Sequence, residues 1–328
     1  MTSIHRKSLA AAILVALGLV TPALHAQTDY PNRPMRMIVA FPPGAGADLT
    51  ARTVAQKLSE AYGQPVVVDN RAGANGSVGT DAVSKSAPDG YTLLLTDRGA
   101  LGINPSLYKK LPYDPTRDFD YIGIATVGAY VLVANAAIGA NTLDDLVRLA
   151  RAKPDTINYA SYGIGSMPHL NFEALNQRLG IKLTHVPYKG GAPAVAAAVA
   201  GEVGVTIATP PSLLGHIRDG RVRALAIGAP KRSPLLPNVP TMAEAGGGDD
   251  TLAFTFFGFA AAAGSPRPVI AKLSADIKRI LAQPDVAERL SKVGLDPFGS
   301  TPEEMLDTVK RDVARFAKLV SSIGIQPE

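Results

Sequence analysis

The segment 37–48 constrains the fold more than any other part of this chain. Residues 37–41 form a short apolar run, which is typical of a strand buried on both faces. Two prolines end the run, and Gly44 and Gly46 permit a tight turn. Asp48 is predicted to be the N-cap of a helix with one apolar face. Such a turn offers backbone N–H groups at a helix N-terminus, so it predicts an anion site.

Similar small-residue turns recur after other predicted strands, each opening a helix, at 73–80, 161–166, 189–192 and 209–212. Strands that alternate with helices predict βαβ units, and open α/β sheets bind ligands at the carboxyl ends of their strands. A single turn carries little weight because every α/β protein needs such turns. Turns from two lobes that face one cleft favour binding, since two opposed helix N-termini suit a ligand with two carboxylates.

The order of elements predicts two similar α/β units, with the second inserted into the first. We expect one lobe over 27–125 together with 252–328, and the other over 126–251. The chain would then cross between the lobes twice, near 120–130 and 245–255. Two crossings between two lobes indicate a hinge with a cleft.

Residues 1–26 are predicted to be a secretory signal peptide that is cleaved after Ala26. Arg6 and Lys7 form its basic start, an apolar run follows at 8–20, and Leu24-His25-Ala26 precedes the cut, with Leu24 larger than the residue usual at that position. An uncleaved membrane anchor is the alternative, but the apolar run is too short to span a bilayer. The mature protein is therefore expected in the periplasm.

Composition removes several classes of function. The formal charge is +5, of which the two basic residues of the leader supply two, and no basic cluster suggests nucleic-acid binding. The chain has no cysteine, so thiol catalysis and cysteine metal sites are excluded. His169, His185 and His216 lie on separate predicted elements, without metal-site spacing. We expect no metal and no cofactor.

Enzyme motifs are incomplete. The segment 44–49 resembles a dinucleotide fingerprint, but Leu49 stands where the third glycine belongs. The segment 163–167 lacks the glycine that a nucleophile elbow requires after its serine. Ser166, His169 and Asp48 could be written as a triad, but their spacing does not support one. We expect no catalytic residue. His169 could contact a ligand or complete the helix cap, and both interpretations stay open.

Short motifs follow one another along the chain in a set order: Tyr30-Pro-x-Arg-Pro34, Phe41-Pro-Pro-Gly-x-Gly-x-Asp48, Asn70-Arg-x-Gly-Ala74, Ala87-Pro-Asp-Gly-Tyr91, Asn104-Pro-x-Leu-Tyr108, Leu111-Pro-Tyr-Asp-Pro115, Tyr159-Ala-Ser161 with Gly165-Ser166, Val186-Pro-Tyr-Lys-Gly190, Lys231-Arg-Ser-Pro234 and Val239-Pro-Thr241. Each motif alone is weak, but the ordered set is specific. On these motifs, the chain after its leader resembles the Bug family, the extracytoplasmic solute receptors of tripartite tricarboxylate transporters.

The resemblance implies a two-lobed periplasmic-binding-protein fold of type II. Each lobe would hold a mixed, mainly parallel sheet flanked by helices, with the ligand cleft at the hinge. Such a receptor closes on a small organic anion, usually a carboxylate, and presents the closed form to a two-component membrane permease. A monomer is expected.

The turns and the resemblance together predict the ligand-binding residues. One lobe would contribute Phe41, Pro43, Gly44, Ala45, Gly46, Ala47, Asp48, Thr96, Asp97 and Arg98. The other lobe would contribute Ser161, Gly165, Ser166, His169, Lys189, Gly190 and Thr209.

Two departures from the family bear on the ligand. Asp97 and Arg98 stand where the family usually has small hydroxyl residues. Arg98 could bind a carboxylate in bidentate fashion or pair with Asp97, and both readings stay open. Gly204 and Ala208 stand in a strand where an acidic residue is common. Fewer acids favour a ligand without an ammonium group, such as a di- or tricarboxylate or an aromatic acid.

Two other functions remain as alternatives. A periplasmic sensor would bind the same ligand but signal to a partner protein. A secreted α/β hydrolase, which is less favoured, would lose its turnover in Ser166→Ala or His169→Ala.

Overall fold

The computed structural model describes residues 30–44, 46–188, 191–229, 231–248, 254–322 and 324–327. The predicted leader 1–26 and the predicted site residues Ala45, Lys189 and Gly190 lie outside the described residues. Residues Pro34–Glu328 form one compact unit, which contains two β-sheets.

Six strands form the first sheet: β1 (Met35–Val39), β2 (Val66–Asn70), β3 (Thr92–Asp97), β4 (Phe119–Gly128), β10 (Thr255–Ala262) and β11 (Leu295–Pro297), in the order β11-β4-β10-β3-β1-β2. Five strands form the second: β5 (Tyr130–Asn135), β6 (Asn158–Ser161), β7 (Thr184–Pro187), β8 (Val205–Ala208) and β9 (Val222–Gly228), in the order β7-β6-β8-β5-β9.

The helices of the described residues are α1 (Gly46–Tyr62), α2 (Ser77–Ser84), α3 (Asn104–Leu107), α4 (Leu143–Ala152), α5 (Met167–Leu179), α6 (Gly191–Ala200), α7 (Pro210–Arg218), α8 (Arg267–Leu281), α9 (Pro284–Ser291) and α10 (Pro302–Ser322). A single wide turn, Gly99–Ile103, connects β3 to α3.

Both sheets are mixed and share one plan. Strand β1 runs parallel to β2 and β3, and β6 runs parallel to β7 and β8. Strand β10 is antiparallel to β3 and β4, and β5 is antiparallel to β8 and β9. The two sheets contain more antiparallel strand pairs than the predicted, mainly parallel sheets would. The reason is that β4, β5 and β10, which lie where the chain passes between the sheets, enter as antiparallel strands.

The chain leaves the first sheet at the end of β4 and enters the second at Tyr130, the start of β5. The predicted lobe boundary between residues 125 and 126 falls inside β4. The second predicted boundary, between 251 and 252, lies outside the described residues. The ranges of the two lobes therefore stay a prediction.

Helix α10 packs against the cores of both sheets. Met305 and Val309, near its start, lie in the core of the first sheet with Leu94. Phe316 and Val320, near its end, lie in the core that contains Leu132 of the second sheet. A capping box opens this helix, since Thr301 N–H donates to Glu304 Oε2 (2.8 Å) and Glu304 N–H donates to Thr301 Oγ1 (3.2 Å). Helix α10 therefore contributes side chains to the cores of both sheets.

Candidate ligand site

A cavity of about 370 Å³ lies where strands of both sheets end. Its walls come from the turn after β1, the end of β3, the starts of β5, β10 and α7, and the segment before β11. The lining residues are Phe41, Gly44, Gly46, Ala47, Leu49, Asp97, Tyr130, Thr209, Pro211, Thr255, Phe257, Val293, Gly294 and Leu295. Residues of both sheets thus face one space.

A larger groove, of about 750 Å³, lies between α5 and α10. It is lined by Arg178, Arg311, Arg315 and Lys318 with neighbouring helical residues, and by no strand end. None of the predicted site residues within the described part of the chain contributes to it. The smaller cavity is therefore the candidate site.

The turn after β1 is held in shape by Asp48. Helix α1 begins at Gly46, so the prediction that Asp48 is the N-cap is wrong. Asp48 lies in the first helical turn, and its buried carboxylate accepts hydrogen bonds from Gly44 N–H, Arg52 Nε and Asn70 Nδ2, each at 3.0 Å. Burial favours the neutral acid, but these hydrogen bonds outweigh it and lower the pKa of Asp48. Asp48 supports the turn from behind and does not line the cavity.

The start of α1 offers donors to the cavity. Gly46 and Ala47 line it, and the first N–H groups of a helix have no acceptor within the helix. A Cβ on Gly46 would lie 3.1 Å from Leu295 Cδ1 and 3.2 Å from Phe257 Cε2, two side chains of the opposite wall. Glycine at this position therefore keeps the space in front of the helix open.

Helix α7, from the second sheet, points its N-terminus into the same cavity. Thr209 is its N-cap residue, and the Thr209 side chain makes no capping hydrogen bond. Pro210 and Pro211 follow, and proline has no N–H to donate. Two helix N-termini therefore meet at one cavity, but α7 contributes the Thr209 hydroxyl in place of a set of amides.

Arg98 has a partner that differs from both partners predicted from the sequence. Its Nε and Nη2 donate to the two carboxylate oxygens of Asp312 in α10, at 2.7 and 3.1 Å. Its Nη1 donates to the carbonyl of Phe254 at 2.6 Å, and both charged side chains are buried. The bidentate partner of Arg98 is thus Asp312, neither Asp97 nor a carboxylate in the cavity. Both interpretations from the sequence are wrong, and Arg98 ties the end of β3 to α10.

Asp97, the neighbour of Arg98, does line the cavity. Its Oδ1 accepts the N–H of Ala100 at 2.9 Å. Burial raises the pKa of Asp97 to about 6, although backbone N–H groups of Ala100 and Gly99 oppose that shift. No Lys or Arg among the described residues forms an ion pair with Asp97. Thr96, by contrast, is buried against Thr80, with 3.2 Å between their hydroxyl oxygens.

The turn after β6 is satisfied by its own side chains. Ser161 Oγ accepts the N–H of Gly163 at 3.1 Å and lies 2.6 Å from His185 Nε2. Ser166 occupies the N-cap position of α5, but its hydroxyl donates to Gly163 O at 2.6 Å. Gly165 N–H donates to His169 Nδ1 at 3.0 Å. Ser161, Gly165, Ser166 and His169 do not line the cavity.

His169 of α5 and His185 of β7, which contact this turn, belong to a stack of aromatic rings. His169 and His185 lie 4.0 Å apart between ring centroids, and His185 stacks on Tyr159 at 4.9 Å. Burial lowers the pKa of both imidazoles to about 4, so both are neutral at pH 7. Of the two interpretations of His169, the structure shows the one in which it completes the helix start. The Ser166–His169–Asp48 arrangement is not formed, because each group has other partners.

Sequence reasoning missed part of the cavity wall: Leu49, Tyr130, Pro211, Thr255, Phe257, Val293, Gly294 and Leu295. Phe257 lies opposite Asp97 because β10 pairs with β3 in antiparallel orientation, and no sequence pattern predicts that pairing. Phe257 meets Phe41 edge to face, with 6.3 Å between ring centroids. The apolar pattern of β10 was the one available signal, but it gives no partner strand.

Among the described residues, no group of three or more His, Asp or Glu could hold a metal ion. Within the same residues, each helix is too short or too polar to cross a membrane.

Residues 50–325 match the model of the tripartite tricarboxylate transporter family receptor. The chain belongs to this family. It is 38% identical to protein BugT of Bordetella pertussis over 313 residues, which are 95% of each protein. The predicted resemblance to the Bug family is confirmed.

Solved structures agree with the family. Rpa4515 of R. palustris with adipate is 32% identical with a TM-score of 0.77, covering 92% of this chain and 100% of its own. MatC of Rhodopseudomonas palustris with bound malate is 31% identical with a TM-score of 0.71, covering 89% and 100%. The predicted two-lobed α/β binding-protein fold is confirmed. Members of this family are periplasmic solute receptors that work with a tripartite transporter, and this receptor is not an enzyme.

Proposed function

We propose that this receptor captures a small di- or tricarboxylate, or an aromatic acid, in the cavity between its two sheets. It would deliver the ligand to a two-component membrane permease of the tripartite tricarboxylate type. The observation that carries the proposal is the start of α1, whose first residues, Gly46 and Ala47, line the cavity. A helix N-terminus carries roughly half a positive charge, which favours a carboxylate.

The rest of the cavity suits the remainder of such a ligand. Phe41, Phe257 and Leu295 form an apolar wall against which a hydrocarbon chain or ring can pack. Tyr130, Thr209 and Thr255 bring hydroxyl groups that can orient it. The volume of about 370 Å³ suits a small acid better than a large one. The acids bound to Rpa4515 and MatC, adipate and malate, are both dicarboxylates, which supports this choice.

Ligand binding would shift the receptor toward a closed form. We propose the lobes 27–125 with 252–328 and 126–251, moving about the connection between β4 and β5. A ligand held by α1 of one lobe and Thr209 of the other would favour closure, because only the closed form offers both contacts. Lys189 and Gly190 stay proposed contacts of the second lobe.

We further propose that residues 1–26 direct export to the periplasm and that the mature receptor acts as a monomer. The leader pattern in the sequence supports the first proposal.

Calorimetry of the mature chain tests the proposal. The panel comprises succinate, malate, adipate, citrate and benzoate, with succinamide as the uncharged control. We expect a Kd on the order of micromolar, about −8 kcal/mol, for at least one acid and no binding of the amide. A receptor that binds none of the acids, and whose melting temperature none of them raises, would contradict the proposed function.

A further inference from the structure

Asp97 introduces a negative charge where the proposed function places an anion. Asp97 is the last residue of β3, and it lines the cavity. The same cavity holds the start of α1, which we propose as the carboxylate site. A ligand carboxylate beside Asp97 would face like charge in a partly desolvated space, which is unfavourable.

No Lys or Arg of the described residues forms an ion pair with this carboxylate. Arg98, the adjacent residue, is fully engaged by Asp312 and the carbonyl of Phe254. Asp97 Oδ1 accepts a hydrogen bond from the backbone N–H of Ala100, and the backbone N–H of Gly99 also stabilises its charged form. Asp97 therefore lines the cavity as a carboxylate without an ion-pair partner among the described residues.

The orientation of Asp97 is set by the turn that follows. A Cβ on Gly99 would lie 3.2 Å from Asp97 Oδ1 and 3.4 Å from Oδ2, so the glycine leaves room for the carboxylate to fold over the turn. The Ala100 N–H then fixes one oxygen. An acceptor held in this way costs little entropy when a ligand donor reaches it.

Among the described residues that line the cavity, the second sheet supplies a hydroxyl donor. Tyr130 lines the same cavity, and burial raises its pKa, with the fields of Tyr162 and Asp97 adding to the shift. Tyr130 therefore keeps its proton at neutral pH. Since the pKa of Asp97 is about 6, its carboxyl group is mostly ionised at pH 7.5 and only accepts hydrogen bonds.

We propose that Asp97 is a specificity-determining residue that selects carboxylic acids carrying a hydroxyl or ammonium donor beside the carboxylate. This inference rests on the proposed function and narrows its ligand class. It also reverses the preference for ligands without an ammonium group, which the sequence analysis drew from the absence of acids at Gly204 and Ala208. Asp97 supplies the acid that those positions lack.

Matched pairs of acids test the inference by calorimetry on the mature chain at pH 7.5. Malate and aspartate each differ from succinate by one donor, and mandelate differs from phenylacetate by one hydroxyl. We expect a donor-bearing acid to bind at least about tenfold tighter than its plain partner, because the plain acid leaves Asp97 without a donor. Comparing malate with aspartate separates a hydroxyl from an ammonium donor.

Two variants locate the effect. Asp97→Ser, which introduces a small hydroxyl residue, is expected to bring the ratio within a pair close to one and to strengthen binding of the plain acid. Asp97→Asn is a second, nearly isosteric variant in case Asp97→Ser folds poorly. Glu303→Gln removes one negative charge at an exposed position outside the cavity and should keep the wild-type ratio.

The outcomes separate the two proposals. If the wild type binds the plain acid as tightly as its donor-bearing partner, this inference fails and the proposed function survives. The same holds if the ratio persists in both Asp97 variants. If no carboxylic acid binds at all, the proposed function fails and this inference fails with it.

Discussion

The two glycine-rich turns, 42–48 after β1 and 161–166 after β6, occupy equivalent places in their sheets. Strand β1 lies between the parallel strands β2 and β3, and β6 lies between the parallel strands β7 and β8. Each turn opens a helix, α1 or α5. The sequence therefore predicts the same role for both, but only the first turn lines the candidate cavity.

The two turns differ in which groups accept hydrogen bonds from their backbone N–H groups. In the first turn, Asp48 takes the Gly44 N–H from behind, and the amides at the start of α1 remain available to the cavity. In the second, Ser161 and His169 take the N–H groups of Gly163 and Gly165. A turn whose donors are already used by its own side chains has less to offer a ligand. Glycine content alone does not distinguish these cases.

The largest effect is expected from a bulky residue in the second turn. Gly165 has φ of 74°, and a Cβ there would lie 2.8 Å from Leu107 Cδ1 of α3. Gly165→Val should lower the free energy of unfolding by about 3 kcal/mol, because it combines left-handed backbone strain with a steric clash. Denaturant unfolding measures the loss.

Gly139→Val is the matched control for Gly165→Val. Gly139 also has φ of 74°, but no atom lies within 4 Å of the Cβ position. It should therefore show the strain alone, about 1 to 2 kcal/mol. Equal losses in the two variants would contradict the close packing of the second turn against α3.

The same change in the first turn should act on binding instead. Gly46→Val places its side chain in front of α1, against the side-chain ends of Leu295 and Phe257. We expect affinity for the carboxylate identified by calorimetry to fall about 100-fold or more, roughly 2.7 kcal/mol. Stability should fall less than in Gly165→Val, because side-chain ends can move aside.

Gly46→Ala provides the graded control, with a smaller loss of affinity than valine. If Gly46→Val binds as tightly as the wild type, the first turn is only a connector. The comparison between the turns would then have no functional meaning.

Acid should weaken the second turn more than the first, because only the second is hydrogen-bonded to imidazoles, those of His169 and His185. The pKa of His169 and His185 is about 4 in the folded protein and about 6.5 when unfolded. Between these values the unfolded chain binds more protons, so stability is full above about pH 6.5 and is lost as the pH falls toward 4. We expect Tm to fall by a few degrees between pH 7 and pH 5.

Calorimetric melting across this pH range is compared for the wild type and the variants His169→Gln and His185→Gln. Each variant should flatten the dependence of Tm on pH, whatever its effect on Tm at pH 7. His216→Gln, outside the ring stack, is the matched control. An unchanged slope in both variants of the stack would show that these imidazoles do not titrate between the folded and unfolded states.

The sequence predicts contacts between residues that are close along the chain better than contacts between residues that are far apart. The capping box at Thr301 and Glu304 can be recognised in the sequence, because its groups are three residues apart. The first turn is also a short segment, 42–48, and its Gly44, Gly46 and Ala47 line the cavity. Arg98 was misread because its partner, Asp312, lies 214 positions away. Strand β11 was missed because its three residues, Leu295–Pro297, are too short for periodicity and include a proline.

The site shows the same limit more strongly than the fold. The sequence predicts both Asp97 and Arg98 in the site. Arg98 instead pairs with Asp312 of α10, which leaves Asp97 without the neighbouring cation, and only the position of α10 reveals this. Phe257 and Leu295 enter the cavity through antiparallel pairings of β10 and β11. Local motifs identify the elements that carry the cavity, whereas the walls that shape it are set by strand order.

The smallest effects are expected from the side chains that hold each turn. Asp48→Asn keeps an oxygen for the Gly44 N–H but removes the charge that Arg52 contacts, and it should cost about 1 kcal/mol of stability. Ser161→Ala removes the acceptor of Gly163 N–H and should cost a similar amount.

The two variants should differ in binding, measured by calorimetry with the same acid. Asp48→Asn is expected to weaken affinity several-fold, because the amides at the start of α1 depend on the turn that Asp48 supports. Ser161→Ala should leave affinity within about twofold, since the Ser161 hydroxyl is used inside its own turn. A tenfold loss in Ser161→Ala would instead bring the second turn to the ligand when the receptor closes. The asymmetry between the turns would then belong to one conformation of the receptor and not to its mechanism.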